Sequence, residues 1–346
     1  MRRPTLNDVA AAAGVSAKSV SRVINGADNI SPELRLRVEA AVETLNYVPN
    51  TLARSLKVGT GDTIGVVIDS ISDPFFAAVM SAVEGAALDG GLSTVFGSTG
   101  SDPERERRQV ERMVMQQVRA LILAPVPRSH EYLRHYASVL PIVMIDRAVE
   151  VGAFDTVRVD DRAVARTAVE HLVRHGHRRI ALIGDDRSFA TARDRLAGYQ
   201  DVLAEHGVEL DPALCRPTPD GDDEAVRTLN GLLAMDRPPT AIFAINQRAG
   251  IRTAYALHTA EYAELAFISF GDFPLSQSLR PPVTYVDHDP RAIGRAATQQ
   301  VLDRLRGDPG PARDIFVDTT LVPRGSGEIT PRPGAPGETR EVEVVS

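Results

Sequence analysis

The chain has 346 residues, 43% hydrophobic and 25% charged, an ordinary globular mixture long enough for two or three domains. Its single cysteine, Cys215, excludes a disulfide framework and a cysteine-based zinc site. No apolar run approaches the ~18 residues of a membrane span, and none follows Arg2 and Arg3 to make a secretory leader, so the cytoplasm is the expected compartment.

The net charge of −7 is unevenly spread, because the first 60 residues carry eight Lys/Arg against five Asp/Glu. A small basic head on an acidic body directs the head at a polyanion. In that head Thr5 is placed to cap a helix, with Asp8 three residues on, and Leu6, Val9, Ala10 and Ala13 share one face. Gly14 ends this helix. Ser16 caps a second, whose Val20, Val23 and Ile24 repeat at helical spacing until Asn25-Gly26 stops it. Ser31-Pro32-Glu33 starts a third, with Leu34, Val38, Ala41, Val42 and Leu45 as its buried stripe.

Helix, tight glycine turn, helix is the plan of a helix-turn-helix. The second helix exposes Ala17, Lys18, Ser21, Arg22 and Asn25 near the end that enters a major groove. Arg22 can fork onto guanine O6 and N7, and Ser21 or Asn25 can bond bases or phosphates. Periodicity alone fits a small helical bundle with a solvated face equally well.

The motifs Thr5-Leu6-x-Asp8-Val9-Ala10, Ala13-Gly14-Val15-Ser16 and Val20-Ser21-Arg22-Val23-x-Asn25 carry a resemblance. Together with Leu45-Asn46-Tyr47-x-Pro49-Asn50 and Ala53-Arg54-Ser55-Leu56, this head resembles the LacI/GalR family of bacterial transcription regulators. The resemblance implies that Thr5, Ser16, Ser21, Asn25, Tyr47 and Asn50 touch phosphates or buttress the fold on them. Ala17, Lys18 and Arg22 would read bases, with Ser19 in the same DNA-facing set. Thr51 to Leu56, with Ala53, would form a hinge helix ordered on specific DNA, and Leu56 a wedge between base pairs in the minor groove.

Behind Gly59 and Gly61, β-branched runs at Thr63–Ile68, Thr94–Phe96, Ala120–Ala124, Ile142–Ile145, Arg179–Ile183, Thr240–Ala244 and Leu265–Phe270 alternate with helix-length segments. Examples are Phe75–Leu88, Asp102–Gln117, Asp161–His175, Thr191–His206 and Gln247–His258. Alternation predicts parallel sheets covered on both faces, and the strand number predicts two doubly wound halves with a ligand cleft at their strand ends. A TIM barrel or an enzyme could show the same alternation.

The order Ile64-Gly65-Val66-Val67, Asp73-Pro74-Phe75-Phe76, Glu170-His171-Leu172 with His175-Gly176-His177-Arg178-Arg179-Ile180, Arg195-Leu196-Ala197-Gly198-Tyr199 and Leu321-Val322-x-Arg324-x-Ser326 resembles that family's effector domain, itself similar to periplasmic sugar-binding proteins. The resemblance implies three crossings between halves, near Asp160, His288 and Val317.

Polar and aromatic residues at strand ends are the effector-binding candidates: Asp69, Phe75, Phe76, Asp146, Arg195, Asn246 and Asp272. Aspartates there also serve as plain helix caps, and Phe75 or Phe76 as core. Gln247 stands where the family usually has an acid or Asn, and Gly271 where many members have a ligand-contacting Asp. The Arg216–Asp220 stretch lacks a stacking aromatic that some relatives use.

His171 and His175 are four apart, but no Glu completes a His-Glu-x-x-His pattern, so they read as structural. No dinucleotide, phosphate-loop or serine-nucleophile motif occurs, and neither metal, cofactor nor enzymatic activity is expected. Leu321–Ser326 spells a thrombin-cleavage sequence and reads as a native last strand.

The expected architecture is a small all-α helix-turn-helix head on a bilobed α/β body, with boundaries at 1–49 for the head, 50–60 for hinge helix and linker, and 61–326 for effector binding and dimerisation. Lobe one takes about 61–160 plus 289–317, lobe two about 161–288 plus 318–326, and 327–346 forms a disordered tail. The expected function is a homodimeric repressor of a pseudopalindromic double-stranded operator, controlled by a small molecule, first a sugar, between the lobes. The rivals are a solute-binding protein, a corepressor-dependent regulator with a nucleobase-like ligand, and an α/β enzyme with an appended head.

Overall fold

A computed structural model describes residues 4–24, 27, 29–47, 62–126, 129–147, 149, 154–184, 187–260, 262 and 264–332. It divides into two compact units, Met1–Gly61 and Asp62–Ser346.

The first unit holds helices α1 (Leu6–Ala13), α2 (Ala17–Ile24) and α3 (Pro32–Thr44). Thr5 and Asp8 make a reciprocal capping box on α1, satisfying two amides that the helix itself cannot pair. Gly14 closes α1 at φ 65°, a left-handed conformation that glycine adopts without strain. From α3 the Arg37 guanidinium donates to the Ala13 and Gly14 carbonyls at 2.5 and 3.1 Å, placing a cation on the negative end of α1. Val9, Ala10, Ala13, Val20, Val23, Val38, Ala41 and Tyr47 form the core that fixes the angle between α1 and α2.

The second unit contains two six-stranded sheets. Its elements run β1 (Thr63–Ile68), α4 (Pro74–Asp89), β2 (Ser93–Ser98), α5 (Pro103–Met115), β3 (Leu121–Leu123), α6 (Glu131–Ala137), β4 (Ile142–Ile145) and β5 (Asp155–Arg158). Then come α7 (Asp161–Arg174), β6 (Ile180–Gly184), α8 (Ala190–Glu205), β7 (Cys215–Pro217), α9 (Asp222–Leu233), β8 (Ala241–Ala244), α10 (Gln247–Thr259), β9 (Ala266–Phe270) and β10 (Thr284–Asp287). α11 (Pro290–Leu305), β11 (Asp314–Phe316) and β12 (Thr320–Val322) complete it.

Lobe one has the order β11-β5-β4-β3-β1-β2, and lobe two β12-β10-β9-β8-β6-β7. Every pairing is parallel except β10 with β12. The chain leaves one sheet for the other after Arg158, after Asp287 and after Phe316. The runs at β1, β4, β6 and β8 are buried almost throughout, as strands covered on both faces must be.

Three of the strand-to-helix turns share one device. Asp73, Asp102 and Asp289 each precede a proline and cap the next helix, accepting from a backbone amide one or two residues into it. Proline at the first helical position loses no hydrogen bond there and arrives with helical φ. One apolar core joins the α4–α11 face of lobe one to the α7–α8 face of lobe two. A second fills lobe two under α9 and α10, and a third fills lobe one under α5 and α6.

Residues 327–332, expected to open a disordered tail, are packed instead. Glu328 accepts from Thr284 Oγ1 and the Gly325 amide at 2.8 and 2.5 Å and lies 2.7 Å from His171 Nε2. His177 Nε2 meets the Ile329 carbonyl at 2.7 Å, and the Ile329 side chain packs on the core. These contacts hold 327–332 against lobe two, a partnership that composition alone conceals. The thrombin-like sequence is integral to this lobe: Leu321 and Val322 pair with β10, and Ser326 is 3% exposed. Among the described residues, no helix is long and apolar enough to cross a membrane.

Candidate functional site: a helix-turn-helix head and an interlobe cleft

On α2, Val20 and Val23 turn inward and leave Lys18 and Arg22 exposed one turn apart. Ala17, Ser19 and Ser21 beside them are half-buried, and Ala17 packs partly on the head core. Ser16 Oγ accepts from the Ser19 amide at 3.1 Å, capping α2, and the two hydroxyls lie 2.9 Å apart. Arg22 Nη2 donates to the Asn29 carbonyl at 2.9 Å, which orients the guanidinium. Thr5 is exposed beside its capping box. Tyr47 is 9% exposed and belongs to the core, so its ring buttresses the head. Asn25, Asn50, Ala53 and Leu56 lie outside the described residues.

The body holds a cavity of about 410 Å³ between its lobes, a size suited to a small molecule. Six of the seven sequence candidates line it: Asp69, Phe75, Phe76, Asp146, Arg195 and Asn246. Asp272 does not. One residue beyond Gly271, its carboxylate takes a forked pair of bonds from Arg324 at 3.0 and 2.9 Å and another from the Ser276 hydroxyl. Those bonds outweigh the upward push of burial and hold it below the usual carboxylate range.

Each candidate already has internal work. Asp69, just after β1, accepts from the Ser101 amide and hydroxyl and from Thr99 Oγ1. Asp146, after β4, sits at φ 67° and pairs with Arg147 at 3.1 Å. Asn246 caps α10 through the Ala249 amide at 2.7 Å and donates to Thr218 Oγ1 at 3.1 Å. Arg195, 5% exposed, pairs with Asp161 at 2.7 Å, donates to the Ile245 carbonyl, and lies 3.6 Å over the Phe270 ring.

The sequence reading missed Asp73, Arg147, Phe270, Arg248, Arg252 and His288, all on the cavity wall. Asp73 carries its own signal, an Asp-Pro cap. Burial pushes its carboxyl up to about 6, with Asp146 and Asp69 adding to the rise and the Phe75 amide and Arg248 opposing it. Asp161, beneath Arg195, is likewise raised to about 6, by burial first.

His288, in the second crossover, joins the lobes. Its ring stacks with Phe75 of lobe one at 5.1 Å and with Phe270 of lobe two at 4.4 Å. Burial, helped by the nearby Arg195 charge, pushes its pKa down to about 3, so it is neutral. Gly271 makes room for it: a Cβ there, at φ 83°, would fall 2.6 Å from His288 Cε1. Gly271 and His288 are therefore one packing solution. A second tie between lobes is Arg147, whose guanidinium lies 4.4 Å over Phe189 at the start of α8.

Comparisons with known proteins agree with this division. Residues 5–50 match the family model for bacterial regulatory proteins of the lacI family, and 169–327 match a periplasmic binding protein-like domain. The chain is 32% identical over 329 residues to the HTH-type transcriptional regulator GalR of Escherichia coli K12, covering 93% of this chain and 95% of GalR. It is 31% identical to the ribose operon repressor of the same organism, over 93% of this chain and 99% of that protein. Among solved structures, a lac repressor dimer bound to operator and an anti-inducer superposes with a TM-score of 0.83 at 26% identity, over 94% of this chain and 99% of that one. With this head, this pair of sheets and these relatives, the chain belongs to the LacI family of bacterial regulatory proteins.

Proposed function

We propose that the protein is a transcriptional repressor that binds a pseudopalindromic operator as a homodimer and changes its operator affinity when a small polyhydroxylated molecule, a sugar in the first instance, occupies the interlobe cleft. Lys18 and Arg22 supply the base-edge donors, Arg22 through a fork suited to guanine. Thr5, Ser16, Ser19, Ser21 and Tyr47 orient the head on phosphates or support it there, and Ala17 contacts a thymine methyl. Asn25, Asn50, Ala53 and Leu56 complete the DNA-facing set.

In the cleft, Asp69, Asp146, Arg195 and Asn246 meet ligand hydroxyls, and Phe75 and Phe76 close the apolar side. The observation that carries the reading is the Phe75–His288–Phe270 stack, which ties the two lobes together at the cavity wall. A molecule bound there touches both lobes at once, so its binding energy depends on how they are set. Differential affinity for two settings is what an effector requires.

The test is a gel shift of the full chain at fixed salt against DNA flanking its own gene, alone and with a panel of pentoses and hexoses. Selective binding that one of these sugars changes severalfold supports the reading. Selective binding that no small molecule alters removes the effector half, and absence of selective binding removes the whole.

A further inference from the structure

The reading guanidinium of the head is anchored by the protein's own backbone. Arg22 is exposed in the last turn of α2, and its Nη2 donates to the carbonyl of Asn29, seven residues on, at 2.9 Å. From this contact we infer that Ile30 is a positioning residue for DNA reading: it fixes the Asn29 carbonyl, which holds Arg22 in the pose that selects a guanine. This rests on the repressor reading above and adds a determinant of its sequence selectivity.

The Asn29 carbonyl is fixed from both sides. Towards α2, the Ala27 amide donates to the Arg22 carbonyl at 3.1 Å and closes the end of the helix. Towards α3, Ile30 packs against the head core, and Ser31 Oγ caps α3 through the Leu34 amide at 3.3 Å. The carbonyl can shift only if a core contact or a helix cap gives way. The C-terminal end of α2 also carries partial negative charge, which favours a cation folded along it. Asn29 and Arg22 are themselves exposed, so the anchored pair stands at the surface beside Lys18.

The bond to Asn29 leaves the reading fork intact. A guanidinium carries five N–H groups in one plane, two of them on Nη2. Whichever of the two goes to Asn29, the other lies parallel to an N–H of Nη1 or of Nε. A parallel pair is what guanine O6 and N7 accept. An unanchored arginine reaches for phosphate or base alike and loses rotamer freedom when it binds. An anchored one has given up that freedom already, and its fork has one direction. Ile30 therefore acts on discrimination at one base pair, whereas attraction to phosphates, which carries no sequence information, does not depend on it.

The test compares the full chain with I30A, I30V, R22A and R22A/I30A. The probes are the operator found by gel shift, the same operator with adenine in place of the guanine that R22A ceases to distinguish, and a random duplex of equal length. I30A lowers operator affinity about threefold to tenfold and leaves the other two duplexes within about twofold. Beside R22A it adds no further loss, since the two residues act on one contact. I30V, which keeps most of the packing, keeps most of the discrimination.

Equal losses on all three duplexes overturn the inference, as does an I30A loss undiminished beside R22A; both leave the repressor reading standing. An R22A chain that still distinguishes every base pair removes Arg22 as a base reader and the inference with it. A second measurement needs no altered core. In the arginine-labelled full chain without DNA, the Arg22 Nε–H signal, assigned by its loss in R22A, has an order parameter near the ~0.85 of ordered backbone. A value below about 0.6, that of a freely moving group, overturns the inference.

Discussion

The head and the cleft reach specificity by different routes. The head's proposed reading surface lies on one short helix, where Val20 and Val23 in the core leave Lys18 and Arg22 outside. Their direction follows from helical periodicity alone. The cleft instead gathers residues from the ends of β1, β4, β8 and β9, from α4, α8 and α10, and from a crossover. Most of the polar side chains there already make structural contacts of their own. A change in the head should therefore alter binding with little loss of fold, and a change in the cleft should alter both.

The largest expected effect belongs to Arg195→Ala. It strands Asp161, 4% exposed, without its cation, and breaking a buried pair costs about 3–5 kcal/mol. Chemical denaturation of the full chain should show the body transition destabilised by that amount, with Arg195→Ala/Asp161→Asn recovering part of it. A loss below about 1 kcal/mol would mean the pair is not a structural tie, since that is the scale of an exposed ion pair.

Arg22→Ala should leave the unfolding curve nearly unchanged and lower operator affinity by about 1–3 kcal/mol, or roughly fivefold to 150-fold. Equal losses on specific and random DNA would reassign Arg22 to phosphate contact.

His288 sharpens the contrast through pH. Its pKa is lowered from the ordinary 6.5 to about 3 in the folded protein, so the native state holds it neutral and the unfolded state takes the proton first. Its contribution is complete above about pH 6.5 and is lost as pH falls towards 3, amounting to about 2 kcal/mol by pH 5. Asp73 and Asp161, both raised to about 6, act in the opposite sense, favouring the fold below about pH 4 and losing that contribution as pH rises through 6. Comparing His288→Gln with the parent between pH 7.5 and 5 isolates the histidine: the parent should lose about 2 kcal/mol more. Parallel curves would place His288 in a solvated environment.

Thr5→Ala is the smallest change. It removes the α1 cap at a cost of about 1 kcal/mol. Amide exchange in α1 should quicken about fivefold, with the body unaffected.

How much of this was legible in the sequence follows the same division. The three head helices, their caps and the inward faces could be read because each signal is local: Thr5 with Asp8, Gly14, then Ser31-Pro32. The alternating strands of the body and six cavity residues could be read because a polar residue after a buried strand marks the ligand end of a doubly wound sheet.

Asp272 was misplaced because a one-residue step past Gly271 redirects its carboxylate to Arg324, a partner 52 residues away. His288 was passed over as a ligand-site residue because a crossover has no periodicity, and its meaning comes from Phe75 and Phe270 on different lobes. Arg248 and Arg252 look like the solvated face of an ordinary helix until the opposite wall is in view. The short strands β5, β7, β10 and β11 were not singled out, and the packed 327–332 segment was assigned to a tail. Their order depends on distant partners.

The central claim is that cleft and DNA-reading head share one free-energy balance. The direct measurement titrates the sugar that most alters operator binding in the gel shift into the full chain, with and without saturating operator, at one salt concentration. Linkage requires operator to change the ligand's Kd by the same factor by which the ligand changes the operator's. The account predicts matching factors of about 5 to 150, the usual range for such coupling. A ligand Kd that operator leaves unchanged would contradict it.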